Sequence, residues 1–150
     1  MPNVILAEHG TPTAMTITLA ALASSTSGVG RQSTLITNTD IAQMVHIYVG
    51  LTTNASSDIT ADTNGFVYLI KSDGTLKSDS AGDTDAGWTV VNARLLGVIR
   101  FTAVTQSVEY QGEFLIRNPG PIWGIGIVHD TGQSLSAGVV RFTTENQEVQ

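Results

Sequence analysis

The sequence predicts an all-β protein: an antiparallel β-sandwich, jelly-roll-like, with an extended N-terminal arm. Three observations carry this. Apolar and polar residues alternate with period two over many short stretches, which puts one set on each face of a strand. No stretch shows the roughly ten-residue helical pattern that a βαβ crossover needs, so strand neighbours run antiparallel. Charged residues make up only 13% of the chain, and its polarity comes from Thr, Ser, Asn and Gly, the vocabulary of strands and turns. A closed barrel is the alternative, since both architectures remove exposed edges.

In order, residues 1 to 15 carry Pro2, Gly10 and Pro12 without periodicity and read as an arm that orders only when bound. Thr16 to Leu19 alternates like a short strand, Ala20 to Ala23 suits a helical turn, and Ser24 to Gly30 is a Ser/Gly loop. The division is therefore an arm and loop over 1–31 and a sandwich over 32–150. Gln32 to Thr37 is a candidate strand ended by Asn38-Thr39-Asp40. Over Ile41 to Leu51, Val45, Ile47, Val49 and Leu51 share one face and Met44, His46 and Tyr48 the other, which fits a central or interface strand. Gly65 to Lys71 leads to the turn signal Asp73-Gly74. Leu76 to Gly87 is a polar excursion, Trp88 to Val91 and Arg94 to Val104 are strands, and Val139 to Thr144 closes the chain before a polar, acidic tail.

Between these lies Val108 to Asp130, read as a central hairpin. Val108, Tyr110, Phe114 and Ile116 share one parity against Glu109, Gln111, Glu113 and Arg117, and Asn118-Pro119-Gly120-Pro121 supplies the Pro and Gly of a type II turn. In the return strand Trp123, Ile125 and Ile127 load one face, while Gly124 and Gly126 leave the other bare. Something packs close to that backbone, and the facing sheet is the expected neighbour.

The formal charge of −6, with no cluster of Lys or Arg, argues against a nucleic-acid partner. With no cysteine, disulfides, thiolate metal sites and Cys nucleophiles are excluded. No apolar run approaches the roughly 18 residues of a membrane span, and the first ten residues lack the basic start of a signal peptide.

Motifs with chemistry are few. Asp130-Thr131-Gly132 matches the aspartic-protease tripeptide, but only 18 residues follow Gly132, and a reverse turn explains it better. Thr60, Asp62, Asn64 and Gly65 imitate part of a calcium loop whose twelfth position falls on Lys71, where Glu is required. Asp79, Asp83 and Asp85 share a loop; solvation is favoured there over cation binding. His9, His46 and His129 lack zinc spacing, and His46 suits an interface better than a catalytic base. Trp88, Trp123, Tyr48, Tyr68 and Tyr110 suit a core better than a sugar platform. No catalytic residue, metal site or cofactor is assigned.

Four phrases carry a resemblance: TITLAALASSTSGVGRQST at Thr16 to Thr34, VYLIKSDGT at Val67 to Thr75, WTVVNARLLGVI at Trp88 to Ile99, and WGIGIVHDTGQSL at Trp123 to Leu135. With them the chain resembles, over Thr16 to Val140, structural proteins of tailed-bacteriophage virions, in particular β-sandwich capsid decoration (cement) proteins. The resemblance implies a non-enzymatic protein on the outer capsid surface that binds the major capsid protein, bridges capsomers, and forms a homodimer or homotrimer. The residues expected at a capsid or subunit interface are Val4, Ile5, Leu6, Ile17, Leu19, Leu22, Arg31, His46 and Tyr48. A carbohydrate- or receptor-binding sandwich on the phage surface is the alternative.

Overall fold

The computed structural model describes residues 5–39, 41–79 and 82–149. It is an all-β sandwich of two antiparallel sheets, with no helix among the described residues. The strands are β1 (Ile5–His9), β2 (Thr13–Ala14), β3 (Val29–Gln32), β4 (Ile36–Thr37), β5 (Met44–Thr52), β6 (Thr63–Ser72), β7 (Ala86–Thr89), β8 (Arg94–Phe101), β9 (Glu109–Arg117), β10 (Ile122–His129) and β11 (Ala137–Val149). Sheet A has the order β1-β11-β5-β9, with β2 also on β11; sheet B has the order β7-β3-β10-β6-β8, with β4 on β10. The pairing is nested: β2 with β11, β3 with β10, β5 with β9, β6 with β8, alternately in sheets A and B.

The alternation seen in the sequence becomes the core. Val45, Ile47, Val49 and Leu51 of β5, with Ile116 and Val140, face Val67, Leu69, Ile99, Phe101, Trp123, Ile125 and Ile127 of sheet B, and all are buried. Each apolar side chain so enclosed contributes roughly 1.5–3 kcal/mol. Leu19, Ile59 and Leu135 close the ends from loops.

Several expectations change. The stretch from Val108 to Asp130 is not a hairpin: β9 pairs β5 in sheet A and β10 pairs β3, β4 and β6 in sheet B, so the turn at 118–121 crosses between sheets. Its geometry keeps Gly120 at φ 86. Pro121 has no N–H to close it, and neighbouring segments brace it instead: Asn38 Nδ2 donates to Gly120 O at 3.1 Å and Lys71 Nζ to Asn118 O at 2.7 Å. Gln32 to Thr37 is broken into two strands, because Ser33 turns its hydroxyl back to accept the Ile125 N–H at 3.0 Å. Ala20 to Ala23 forms no helix; Ala21 sits at φ 60 inside a tight turn. Ile41 stands outside β5 and Val104 outside β8.

The arm also has partners within the chain. β1 runs along β11 from Ile5↔Val149 to His9↔Glu145, Gly10 N–H donates to Thr144 O at 2.8 Å, and β2 continues down the same edge. The polar tail after Thr144 is the strand it pairs with. Neither segment shows the period-two alternation by which the other strands were read.

The bare face of β10 is covered, though not by the facing sheet. A second apolar cluster lies on the outer side of sheet B, where Trp88, Ile70 and Val128 pack with Leu35, Phe66, Tyr68, Val90 and Ala93. A Cβ built at Gly126 would meet the Trp88 ring, and one at Gly124 would meet Leu35 Cδ2 at 2.5 Å.

Candidate functional site

The outer face of sheet A presents the residues that chemistry or binding can use. Register sets them in rows across β9, β5 and β11: Gln111, Gly50, Val139; then Glu113, Tyr48, Arg141; then Leu115, His46, Thr143; then Arg117, Met44, Glu145. They lie there because the opposite parity of β5 is spent on the core. Tyr48, Leu115 and Val139 remain 40%, 41% and 41% exposed. Gly50 leaves a trough of about 480 Å³, walled by Tyr48, Val139, Arg141, Gln111 and the Glu109 side chain that lies over the glycine.

His46 bridges the rows. Its Nδ1 lies 3.2 Å from Glu113 Oε1 and its Nε2 3.2 Å from Glu145 Oε2. Carboxylates accept hydrogen bonds, so each N–H that the ring carries has a place to go. Arg117 and Arg141, by contrast, have no carboxylate within ion-pair distance among the described residues.

The other candidate residues fall elsewhere. Val4 lies outside the described residues. Ile5 and Leu6 are in β1, paired to Val149 and Glu148. Leu19 is 1% exposed, so its side chain is spent in the core, and Ile17 and Leu22 pack against that core. Arg31 Nε donates to Asp85 Oδ1 at 2.5 Å, which raises its pKa further above the ordinary value. His46 and Tyr48 come together on the outer face of sheet A.

The loop aspartates are drawn apart. Asp83 pairs with Lys77 Nζ at 2.5 Å, and Asp85 takes Arg31 and the Thr18 hydroxyl. Asp79 accepts the backbone N–H groups of Val91, Asn92 and Ala93. Burial pushes the Asp79 carboxyl up, but these three donors outweigh it and hold it below its ordinary value. No group of three or more His, Asp or Glu side chains among the described residues is placed to hold a metal.

His129 is wholly buried. Its Nε2 lies 2.9 Å from Leu22 O and its Nδ1 3.0 Å from the Thr131 hydroxyl, which in turn donates to Gln133 O at 2.7 Å. Asp130 accepts the Asn64 N–H at 2.6 Å, so the Asp-Thr-Gly tripeptide serves a turn. Trp88 and Trp123 are 3% and 1% exposed and offer no platform to a sugar. Sequence reasoning missed the two carboxylates around His46, which come from strands 67 and 99 residues away.

No protein-family model matches the chain, and no curated protein matches it. No helix among the described residues is long and apolar enough to cross a membrane.

Proposed function

We propose that this protein is a non-enzymatic bacteriophage capsid decoration protein, which binds the outer surface of the shell and stabilises it by bridging capsomers. The observation that carries the reading is the outer face of sheet A, a broad strand surface with exposed Tyr48, Leu115 and Val139 among arginines and the carboxylates that flank His46. Exposed apolar groups set within polar ones mark contact surfaces rather than reaction centres. The nested strand order supports a jelly-roll reading of the sandwich, an architecture used in viral capsid and lectin domains. The β1–β11 ribbon supports an anchoring arm: β5 ends at Met44 opposite Glu145, so residues 146–149 pair with β1 alone. A two-stranded ribbon is marginal by itself and gains from a surface to lie on.

The test is co-sedimentation of the purified protein with empty capsids built from the phage's own major capsid protein. Saturable binding, reduced by deleting residues 1–10, is the expected result. Failure to pellet with capsids overturns the reading. A second reading, a carbohydrate-binding surface module, is favoured only by the trough beside Tyr48. Glycan-array binding lost in Tyr48→Ala supports it.

A further inference from the structure

We infer that residues 90–93 form a strap, latched by Asp79 over an apolar patch on the outer side of sheet B, and that protonating this one carboxyl releases it. The latch is narrow. Three successive amides, those of Val91, Asn92 and Ala93, donate to a single oxygen of Asp79, Oδ2. Consecutive N–H groups that converge in this way make a concave anion receptor, and here the anion comes from the loop between β6 and β7. Before them Val90 N–H donates to Gly28 O at 3.0 Å, and after them β8 begins at Arg94. Between those two anchors the backbone amides are all held by one side chain.

What the strap covers is apolar. Val90 and Ala93 pack on Trp88, Ile70 and Val128, all buried. The patch continues past the strap, because Leu95 and Val98 lie opposite Tyr68 and Phe66 in the β6–β8 register and stay 47% and 44% exposed. Lifting the strap joins the buried cluster to this open margin. Two features of the closed form favour its release. Trp88 Nε1 is buried with no acceptor among the described residues, and a buried donor without a partner costs the folded state its lost hydration. Asp79 is held at φ 66, in the left-handed region that only glycine visits freely. Opening gives the indole water and lets Asp79 relax.

The trigger is confined to Asp79. Burial pushes its carboxyl up, but the strap amides and the Asn92 side chain outweigh that and hold it below the ordinary 3.8. No charged side chain is among these causes. Lys77 is engaged with Asp83 and Arg31 with Asp85, Asp73 accepts the N–H groups of Thr75 and Leu76 in its own turn, and Arg94 has no ion pair among the described residues. The latch is therefore closed above 3.8 and opens as pH falls through the folded value of this carboxyl. Asp73 and Asp85 are also held below 3.8, so the test has to separate them from Asp79.

This inference does not rest on the capsid reading, and it is tested on the whole protein without capsids. The indole N–H signals of Trp88 and Trp123 are followed by NMR from pH 7 to about pH 2.5, with the dye anilinonaphthalenesulfonate as a probe of apolar surface. Trp88 is expected to move in one step below pH 3.8, with dye fluorescence rising alongside, while Trp123 in the core stays in place until the whole protein unfolds. Asp79→Asn is expected to show Trp88 already displaced toward its acid position at pH 7, and no later step. Its amides at 91–93 are expected to exchange about tenfold faster than in the wild type, since a charged acceptor has become neutral. Asp73→Asn is expected to keep the Trp88 step. Trp88 and Trp123 moving together overturns the inference, and so does a Trp88 step that survives in Asp79→Asn. Should Asp79→Asn fail to fold, the wild type and Asp73→Asn decide it, and a step that disappears in Asp73→Asn overturns it as well.

Discussion

The indole of Trp88 lies on the backbone of Gly126, two strands away in sheet B, so that a side chain at 126 and the ring at 88 compete for one place. The ring also meets Tyr68 edge-on, with centroids 5.6 Å apart. Gly126→Ala is therefore expected to cost about 1–3 kcal/mol by overpacking. Urea denaturation followed by tryptophan fluorescence checks it. Gly87→Ala, where nothing lies within 4 Å of the added carbon and φ is not positive, is the control expected to be near neutral.

Asp79 holds the turn that brings Val90 and Ala93 onto this cluster. Asp79→Asn replaces the charged oxygen, Oδ2, that all three amides share by a neutral one. A loss of about 1–2 kcal/mol is expected. Because the carboxyl is held below its ordinary 3.8, its contribution is present above that value and is lost as pH falls through the folded value. The wild-type advantage over Asp79→Asn, measured by denaturation at pH 7 and pH 3, is expected to shrink at the lower pH.

Burial lowers the His129 pKa, against the opposing pull of the Leu22 carbonyl and Asp130. A depressed histidine favours the fold when neutral. As pH drops below the unfolded value of 6.5, the unfolded chain takes up a proton that the folded one resists, and stability falls until the folded value is passed. The expected slope is up to about 1.4 kcal/mol per pH unit. Denaturation midpoints of wild type minus His129→Gln, compared at pH 7.5 and 5.5, report this group alone; a difference independent of pH refutes the assignment.

Ile41 is 81% exposed and sits at φ 50, a conformation that costs a β-branched side chain of order 1 kcal/mol or more. It borders a recess of about 420 Å³ lined by Ala42, Asn118 and Pro121. Ile41→Asn, which tolerates that φ, is expected to raise stability by about 1 kcal/mol in thermal melts. If the protein binds capsids as proposed, loss of that binding in the same variant ties the strain to docking.

The paired sheets and the buried parity of β5 and β9 were legible because period-two burial is a local property. Strand partnership was not. The residues Asn118 to Pro121 specify a sharp reversal, and a reversal serves equally well to return a chain within a sheet or to carry it across the sandwich. The glycines of β10 announced a close neighbour, yet Trp88 reaches them from the outer side, where alternation gives no hint of a second apolar layer. Tyr48 and His46 were legible as sharing the face opposite Val45, Ile47, Val49 and Leu51, but Tyr48 was expected in a core and is exposed, and the arginines and carboxylates around the pair come from strands that meet only in the finished sheet.

Nested pairing also sets the order in which the protein can come into being. No two consecutive strands pair among the described residues, so a single reversal of the growing chain closes only short contacts such as the Ser72↔Lys77 bridge. β3 and β7 are the first partners to be synthesised together, and the innermost pair of the nest, β6 and β8, follows. β5 must then wait for β9, β3 for its second neighbour β10, and β2 for β11. Until the ribosome has delivered β11, β5 lacks its neighbour on one side and leaves an open edge. Newly made chains are therefore most vulnerable to sticking to one another just before β11 is made, and the strand that ends this exposure is the one that brings Val139 and Arg141 to the outer face of sheet A.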